Sequence, residues 1–413
     1  MTRKPPRLYY LIAAIVLTIG VAVGQPERAR AASPGGFSAA ELKKITPILN
    51  RYGVIALAET HADGAPKAMT LTVRVNAPRK EVFKVFEKPE NFSYISRLFK
   101  ENKVLEKHDK SKAYSWASRH KWFSFVGTNS ISLYPPRRVD VSIVKSSVGA
   151  GSFRILFYED GPDHTILVLN GLLDVKSSEW LIRYLVGVNP TMKMAMNIAI
   201  GIVIMKGTKA MAEQAHAGKP LKKHRTRGGR KGPLSPLNKK QLQALTPLLG
   251  RGSVILVQSV KKGRLSQATV VQKVKAPGKK FLVAAAMPEL YPKMIKAISN
   301  ITVHERTKEA TEFSWTIGFS IFGLNSRNRL TFAPDGVLIE GLDGDLGGAL
   351  WQWQIQDTGP SECIVAYHGW ANMNKTAYIL DKSVKAEPYL EHGFIAGSNM
   401  VMLAALKRIV EMQ

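Results

Sequence analysis

The sequence predicts an α+β protein in which one domain fold is used twice. Three observations predict it: an internal repeat at a nearly constant offset, strand-like runs joined by turns too short for helical crossovers, and one long apolar helix closing each copy. The repeat is clearest at residues 72–95, TVRVNAPRKEVFKVFEKPENFSYI, and 271–295, VQKVKAPGKKFLVAAAMPELYPKMI. In both copies a strand ends in Ala-Pro (Ala77-Pro78, Ala276-Pro277) and a short apolar helix starts at the proline. Proline suits a first helical turn because its missing N–H has no intrahelical acceptor there. A second proline, Pro89 or Pro288, stops the helix.

The correspondence extends along most of the chain. Tyr114-Ser115-Trp116 matches Phe313-Ser314-Trp315 at an offset of 199, while Gly161-Pro162 matches Gly359-Pro360 and Pro190 matches Pro388 at 198. An offset that drifts by one residue means one fold repeated with small insertions. The expected domains are 37–217 and 237–413, a usual size for single domains.

Taken in order, Ser38-Ala39-Ala40-Glu41 and Asn238-Lys239-Lys240-Gln241 have the spacing of a capping box, in which residues three apart satisfy each other's free backbone N–H groups. Thr46-Pro47 and Thr246-Pro247 read as second helix starts. Strands at 54–59 and 254–259 follow, then a turn and the strand that ends in Ala-Pro. The middle of the first copy reads as strands at 114–121, 124–133, 138–144, 151–158 and 165–175. The second copy matches with 312–320, 325–332, 337–342, 349–356 and 363–372. Pro135-Pro136-Arg137, Asp160-Gly161-Pro162 and Pro334-Asp335-Gly336 are turn chemistry, so an antiparallel meander is expected. Long helices are expected at 190–215 and 388–411. The first contains MKMAMNIAIGIVIM, residues 192–205, which is apolar on nearly every face. Such a helix must be covered on most sides, and its apolar core is short for a bilayer, so it reads as a core helix held by a sheet.

The chain has 413 residues, 45% of them hydrophobic, with a formal net charge of +28. That charge favours anionic surfaces: nucleic acid, acidic lipid headgroups or polyanionic envelope polymers. Residues 1–31 narrow the choice. Arg3, Lys4 and Arg7 precede an apolar run at 8–23 and then Ala29-Arg30-Ala31, the three-part pattern of a secretory signal. Export across the inner membrane to the periplasm is therefore expected, with an uncleaved N-terminal anchor as the alternative, and no specific nucleic-acid partner. Cys363 is the one cysteine, which excludes an intrachain disulfide and any multi-cysteine metal site; in CIVAYHGW it reads as a buried small hydrophobe. Residues 218–236, GKPLKKHRTRGGRKGPLSP, read as a flexible basic linker able to lie on an anionic membrane.

The order of two strands, an Ala-Pro helix, a meander and a long C-terminal helix resembles the helix-grip fold of the START, Bet v 1-like and polyketide-cyclase (SRPBCC) superfamily. Its members often open the helix with Ala-Pro-x-x-x-Val-(Phe/Trp) and follow with Pro-Glu-x-(Phe/Tyr). Here these read Ala77-Pro78-Arg79-Lys80-Glu81-Val82-Phe83 with Pro89-Glu90-Asn91-Phe92, and Ala276-Pro277-Gly278-Lys279-Lys280-Phe281-Leu282 with Pro288-Glu289-Leu290-Tyr291. The resemblance implies two tandem domains, each a curved antiparallel sheet wrapped around its long helix, with an apolar cavity between them. It implies lipids, sterols, quinones or polyketides as occupants, and it covers some cyclases and hydrolases too.

An apolar ligand needs a dry concave surface and a few orienting polar groups. The candidate lining residues in the first copy are Phe92, Ile95, Trp116, Trp122, Phe125, Met192, Met196 and Ile200. Those in the second are Tyr291, Ile295, Trp315, Phe319, Trp351, Trp353, Tyr367, Phe394 and Met400. The Met content of both helices suits varied apolar ligands, because thioether side chains adapt their shape. No titratable set recurs between the copies, and the histidines have no counterparts across the repeat. No catalytic residue, metal or cofactor is assigned. His368, with Glu159 or Asp357, is the set that chemistry would use if the strands turned them toward the helix. Three readings result: an exported carrier of hydrophobic molecules, a cyclase- or hydrolase-type enzyme on such molecules, or a basic envelope-binding module.

Overall fold

The computed structural model describes residues 36–61, 65–120, 123–174, 190–226, 230, 232–295, 297–319 and 322–412. The expected signal segment, 1–31, lies outside them. In chain order the first repeat comprises α1 (Ala39–Tyr52), β1 (Val54–Thr60), β2 (Pro66–Val75), α2 (Arg79–Lys84), two 3-10 turns (Val85–Glu87 and Pro89–Tyr94), β3 (Glu101–Lys107), β4 (Ser111–His120), β5 (Phe123–Tyr134), β6 (Arg138–Ser146), β7 (Ala150–Glu159), β8 (Thr165–Asp174) and α3 (Pro190–His216). The second comprises α4 (Lys239–Leu249), β9 (Ser253–Ser259), β10 (Leu265–Val274), α5 (Gly278–Ala285), a 3-10 turn (Pro288–Leu290), α6 (Tyr291–Met294), β11 (Ile298–Arg306), β12 (Ala310–Phe319), β13 (Phe322–Ala333), β14 (Gly336–Gly344), β15 (Leu350–Gly359), β16 (Glu362–Trp370), a 3-10 turn (Met373–Lys375), α7 (Tyr378–Ala386) and α8 (Leu390–Met412).

Every expected meander strand forms, and the large antiparallel sheets with their long helices make the chain α+β. Four strands or helices among the described residues were not expected: β3, β11, the short α6 and α7. Residues 101–107 read ENKVLEK, with only Asn102 and Val104 half-buried, so their sequence carries almost no apolar alternation. Charged edge strands of this kind keep a sheet from pairing with another chain. The Thr-Pro readings are corrected: Pro47 and Pro247 lie inside α1 and α4 rather than starting new helices. Just before each proline, the hydroxyls of Thr46 and Thr246 donate to the carbonyls of Leu42 and Leu242 four residues back, at 2.7 and 3.0 Å. Both capping boxes close, with Glu41 N–H donating to Ser38 Oγ at 3.2 Å and Gln241 N–H to Asn238 Oδ1 at 2.9 Å.

The chain forms two compact units whose membership differs from a plain division into repeats. The first holds residues 68–193 and 203–224, and the second 37–67, 194–202 and 225–413. In the first unit the strand order is β2-β8-β7-β6-β5-β4-β3. In the second it is β11-β12-β13-β14-β15-β16-β10-β9-β1, because β1 pairs antiparallel with β9 in register Val54↔Val257 to Ala58↔Ser253. Arg251 reinforces that membership by pairing with Glu41 at 2.9 Å and Glu59 at 3.2 Å. Residues 194–202 belong to the second unit through small-residue contacts: Cβ atoms added at Gly393 and Gly397 would come within 2.6 and 3.2 Å of the Ala199 and Ala195 Cβ atoms.

Both long helices are long and apolar enough to cross a membrane, yet 61% of the most apolar window of each is buried in the structure. Each is tied to its sheet by the same device near its C-terminal end. Lys209 Nζ donates to Arg74 O at 2.6 Å while Glu213 accepts from Asn76 N–H at 2.8 Å. Lys407 Nζ donates to Lys273 O and Glu411 accepts from Lys275 N–H, both at 2.7 Å. These lysines and glutamates stand 198 apart, so the repeat includes the clasp that holds the helix beside the Ala-Pro strand end. The basic segment 218–236 makes contacts at both ends. Arg97 donates to His224 O, and Gln267 exchanges two hydrogen bonds with the Ser235 backbone at 2.8 and 2.9 Å.

Candidate ligand-binding interiors

In the second unit the register of β15 and β16 places a set of aromatic rings on one sheet face. Trp351 opposes Gly369 and Trp353 opposes Tyr367, and alternate residues of a strand share a face. That face meets α8, because a Cβ at Gly369 would come within 2.6 Å of the Asn399 side chain and 2.8 Å of Trp351 Cδ1. Trp353 stacks on Tyr367 at a centroid separation of 3.8 Å, with Phe281 5.5 Å away edge-on. Trp315 lies 6.2 Å from Trp351, 6.0 Å from Tyr291 and 5.4 Å from Phe313. The Tyr291 hydroxyl donates to Ala285 O at 2.6 Å, and burial raises its pKa. The structure thus brings together five of the expected lining residues: Tyr291, Trp315, Trp351, Trp353 and Tyr367. Ile295 and Met400 are buried as well, and Phe394 is half-buried. Phe319 falls among residues whose side chains lie outside the described set.

The first unit has a similar interior with a different polar centre. Phe92 meets Tyr114 edge-on at 5.3 Å, Phe99 meets Trp116 at 5.3 Å, and Phe83 meets Phe157 at 5.3 Å. Asn129, buried among them, donates to the Tyr114 hydroxyl at 2.7 Å and accepts from Trp116 Nε1 at 3.4 Å. Burial raises the Tyr114 pKa, and the Asn129 bond opposes that rise. Phe92, Ile95 and Trp116 are buried and Phe125 is half-buried, while Trp122 lies outside the described residues. On α3 the half-buried residues include Met192, Met196 and Ile200, and the deeply buried ones include Met194, Ile198, Ile202 and Met205. A helix apolar on every side carries no periodicity from which to read its inner face. Met196 and Ile200, moreover, belong to the second compact unit rather than to the interior with Trp116.

The titratable candidates have other employment. His368 lies on the sheet face opposite Gly369 and Tyr367, where Thr269 approaches Nδ1 at 2.8 Å and Gln354 Oε1 approaches Nε2 at 3.1 Å. A carbonyl oxygen can only accept, so Nε2 carries the proton and the Thr269 hydroxyl donates to Nδ1. Burial pushes the His368 pKa down to about 3, so the ring is neutral. Gln354 in turn exchanges two bonds with the Leu237 backbone. The expectation that His368 faces the helix is thereby corrected. Its counterpart 198 residues earlier, Asn170, makes the same cross-strand contact to Thr70, at 2.9 Å. Glu159 is exposed and pairs with Arg79, while Asp357 accepts the Gly278 N–H at 2.7 Å in the first turn of α5. Cys363 is buried, and burial pushes its thiol up to about 12. Among the described residues, no group of three His, Cys, Asp or Glu side chains converges to hold a metal ion.

Sequence reasoning did not single out Asn129 or Asn328. They stand 199 apart, the same offset as the two tryptophans, and that equality was the available signal.

No protein-family signature and no curated protein sequence matches the chain. Solved structures of similar kind include the di-domain aromatase/cyclase StfQ from the steffimycin biosynthetic pathway, at 10% identity over 82% of this chain and 99% of that one, TM-score 0.26. A STAR-related lipid transfer protein from Xanthomonas axonopodis matches at 11% identity over 38% of this chain and 93% of its own, TM-score 0.31. The Zhui aromatase/cyclase from a Streptomyces species matches at 16% identity over 37% and 98%, TM-score 0.30.

Proposed function

We propose that this chain is an exported binding or carrier protein for lipid-like hydrophobic molecules, held between the sheet and the long helix. The observation that carries the reading is the aromatic interior of the second unit, where Tyr291, Trp315, Trp351, Trp353 and Tyr367 lie together on the sheet face that meets α8. Rings of this size offer a large apolar contact area and few polar demands. The first-repeat interior around Trp116 supports a second site of the same kind. The signal pattern of residues 1–31 supports export, and the +28 charge with its basic segment supports delivery to or from an anionic membrane surface. His368, Glu159 and Asp357 each have structural partners, so a cyclase or hydrolase mechanism draws no support from them.

Titration of the full chain with fluorescent sterol, quinone and fatty-acid probes tests this reading. Saturable binding of at least one class, competed by an unlabelled member of that class, is expected. Absence of uptake across all three classes would remove it.

A further inference from the structure

The two interiors differ at one repeated polar position. In the first, Trp116 Nε1–H donates to Asn129 Oδ1, and Asn129 Nδ2 donates to the Tyr114 hydroxyl, so the indole is satisfied from within. The counterparts 199 residues on are Trp315, Asn328 and Phe313. Phe313 has no hydroxyl to hold the asparagine forward. Asn328 is instead drawn onto its own strand, where Oδ1 accepts the Ser326 hydroxyl at 2.9 Å and Nδ2 donates to Ser326 O at 3.2 Å. Ser326 stands where the first repeat has Gly127, so the competing hydroxyl is itself a difference between the copies. Trp315, only 3% exposed, is left with an Nε1–H that has no acceptor.

A buried donor without a partner calls for a specific explanation, since native interiors seldom tolerate one. A second unmatched group lies nearby. Asn399 of α8 donates through Nδ2 to Ala268 O at 3.0 Å, while its buried Oδ1 has no partner. The Asn399 side chain sits over Gly369 beside Trp351, and Trp351 is the ring next to Trp315. A free donor and a free acceptor therefore both neighbour Trp351, and the buried Nε1–H of Trp353, two residues along the same strand, is a further donor without an acceptor.

We propose that the second unit selects hydrophobic ligands bearing a carbonyl-type oxygen, which accepts the Trp315 Nε1–H, whereas the first unit's indole is closed by Asn129. This rests on the carrier reading above and adds the polar feature of the ligand. Purely hydrocarbon ligands leave the Trp315 donor unmatched; a ketone, quinone or ester oxygen completes it.

The test uses the full chain and two dyes of one skeleton, an amino-naphthalene with a propionyl group and the same compound without the acyl group. Trp315→Phe is expected to weaken the acyl dye about five- to tenfold more than it weakens the parent dye, the worth of one neutral hydrogen bond. Trp116→Phe should affect the two dyes alike, because its indole N–H is already taken by Asn129. Should Trp315→Phe fail to fold, indole 15N NMR of the unmutated chain supplies the answer: one indole N–H signal should shift downfield with the acyl dye and stay put with the parent. Equal weakening of both dyes, or no indole shift with bound acyl dye, overturns the Trp315 assignment and leaves the carrier reading standing. Failure of the unmutated chain to bind either dye or any of the lipid probes overturns both.

Discussion

His368 shows what burial does to a side chain that sequence alone offers as a catalyst. With Thr269 and Gln354 as its partners and its pKa pushed down to about 3, the ring stays neutral where a free histidine would titrate near 6.5. The sign follows from proton counting. Between about pH 6.5 and 3 the unfolded chain binds a proton that the folded chain refuses, so stability is fully present above that window and is lost as pH falls through it, by about 1.4 kcal/mol per unit. His368→Asn, which installs the residue found at the equivalent position 170, should give a shallower loss of melting temperature between pH 6 and 4. Parallel curves for the two proteins would show that His368 does not set the acid limit. The aromatic residues of the two interiors were legible as residue types, and Trp116 and Trp315 as a pair repeated at an offset of 199. The polar groups that organise them were not, because an asparagine in a strand reads as surface until its partners, Tyr114 or Ser326, are seen beside it.

At the scale of elements, the meander strands and both long helices were legible from turn chemistry and apolar runs. β3 and β11 were not, since their polar sequences are what protects a sheet edge. The packing of α3 was equally hidden. Gly207 sits against the Ile95 backbone, where an added Cβ would come within 1.7 Å of the carbonyl oxygen. Gly→Ala inside an exposed helix normally gains about 1 kcal/mol. Here Gly207→Ala should instead lose about 1–3 kcal/mol, the usual cost of forcing extra volume into a packed site. Urea denaturation checks this, and an unchanged or raised midpoint would mean that α3 does not rest on Ile95. The clasps at Lys209–Glu213 and Lys407–Glu411 are the element-scale counterpart of the Ala-Pro motif. Sequence shows the motif because proline is conspicuous, and conceals the clasps because lysine and glutamate on a helix usually face water.

For the whole molecule, duplication was legible and the compact units were not. A constant offset reports ancestry of the two copies, whereas the pairing of β1 with β9 is a long-range choice that no local signal records. The same limit applies to function: a repeated strand, helix and meander specify where an apolar interior forms, and the ligand is specified only by the few polar groups left inside it. The central claim is that this interior carries a hydrophobic molecule. Organic extraction of the full chain purified from the cells that make it, followed by mass spectrometry, tests this most directly. The account predicts one lipid, sterol, quinone or polyketide class in near-stoichiometric amount, rich in carbonyl-bearing members. An extract indistinguishable from that of an unrelated protein purified in parallel would contradict it.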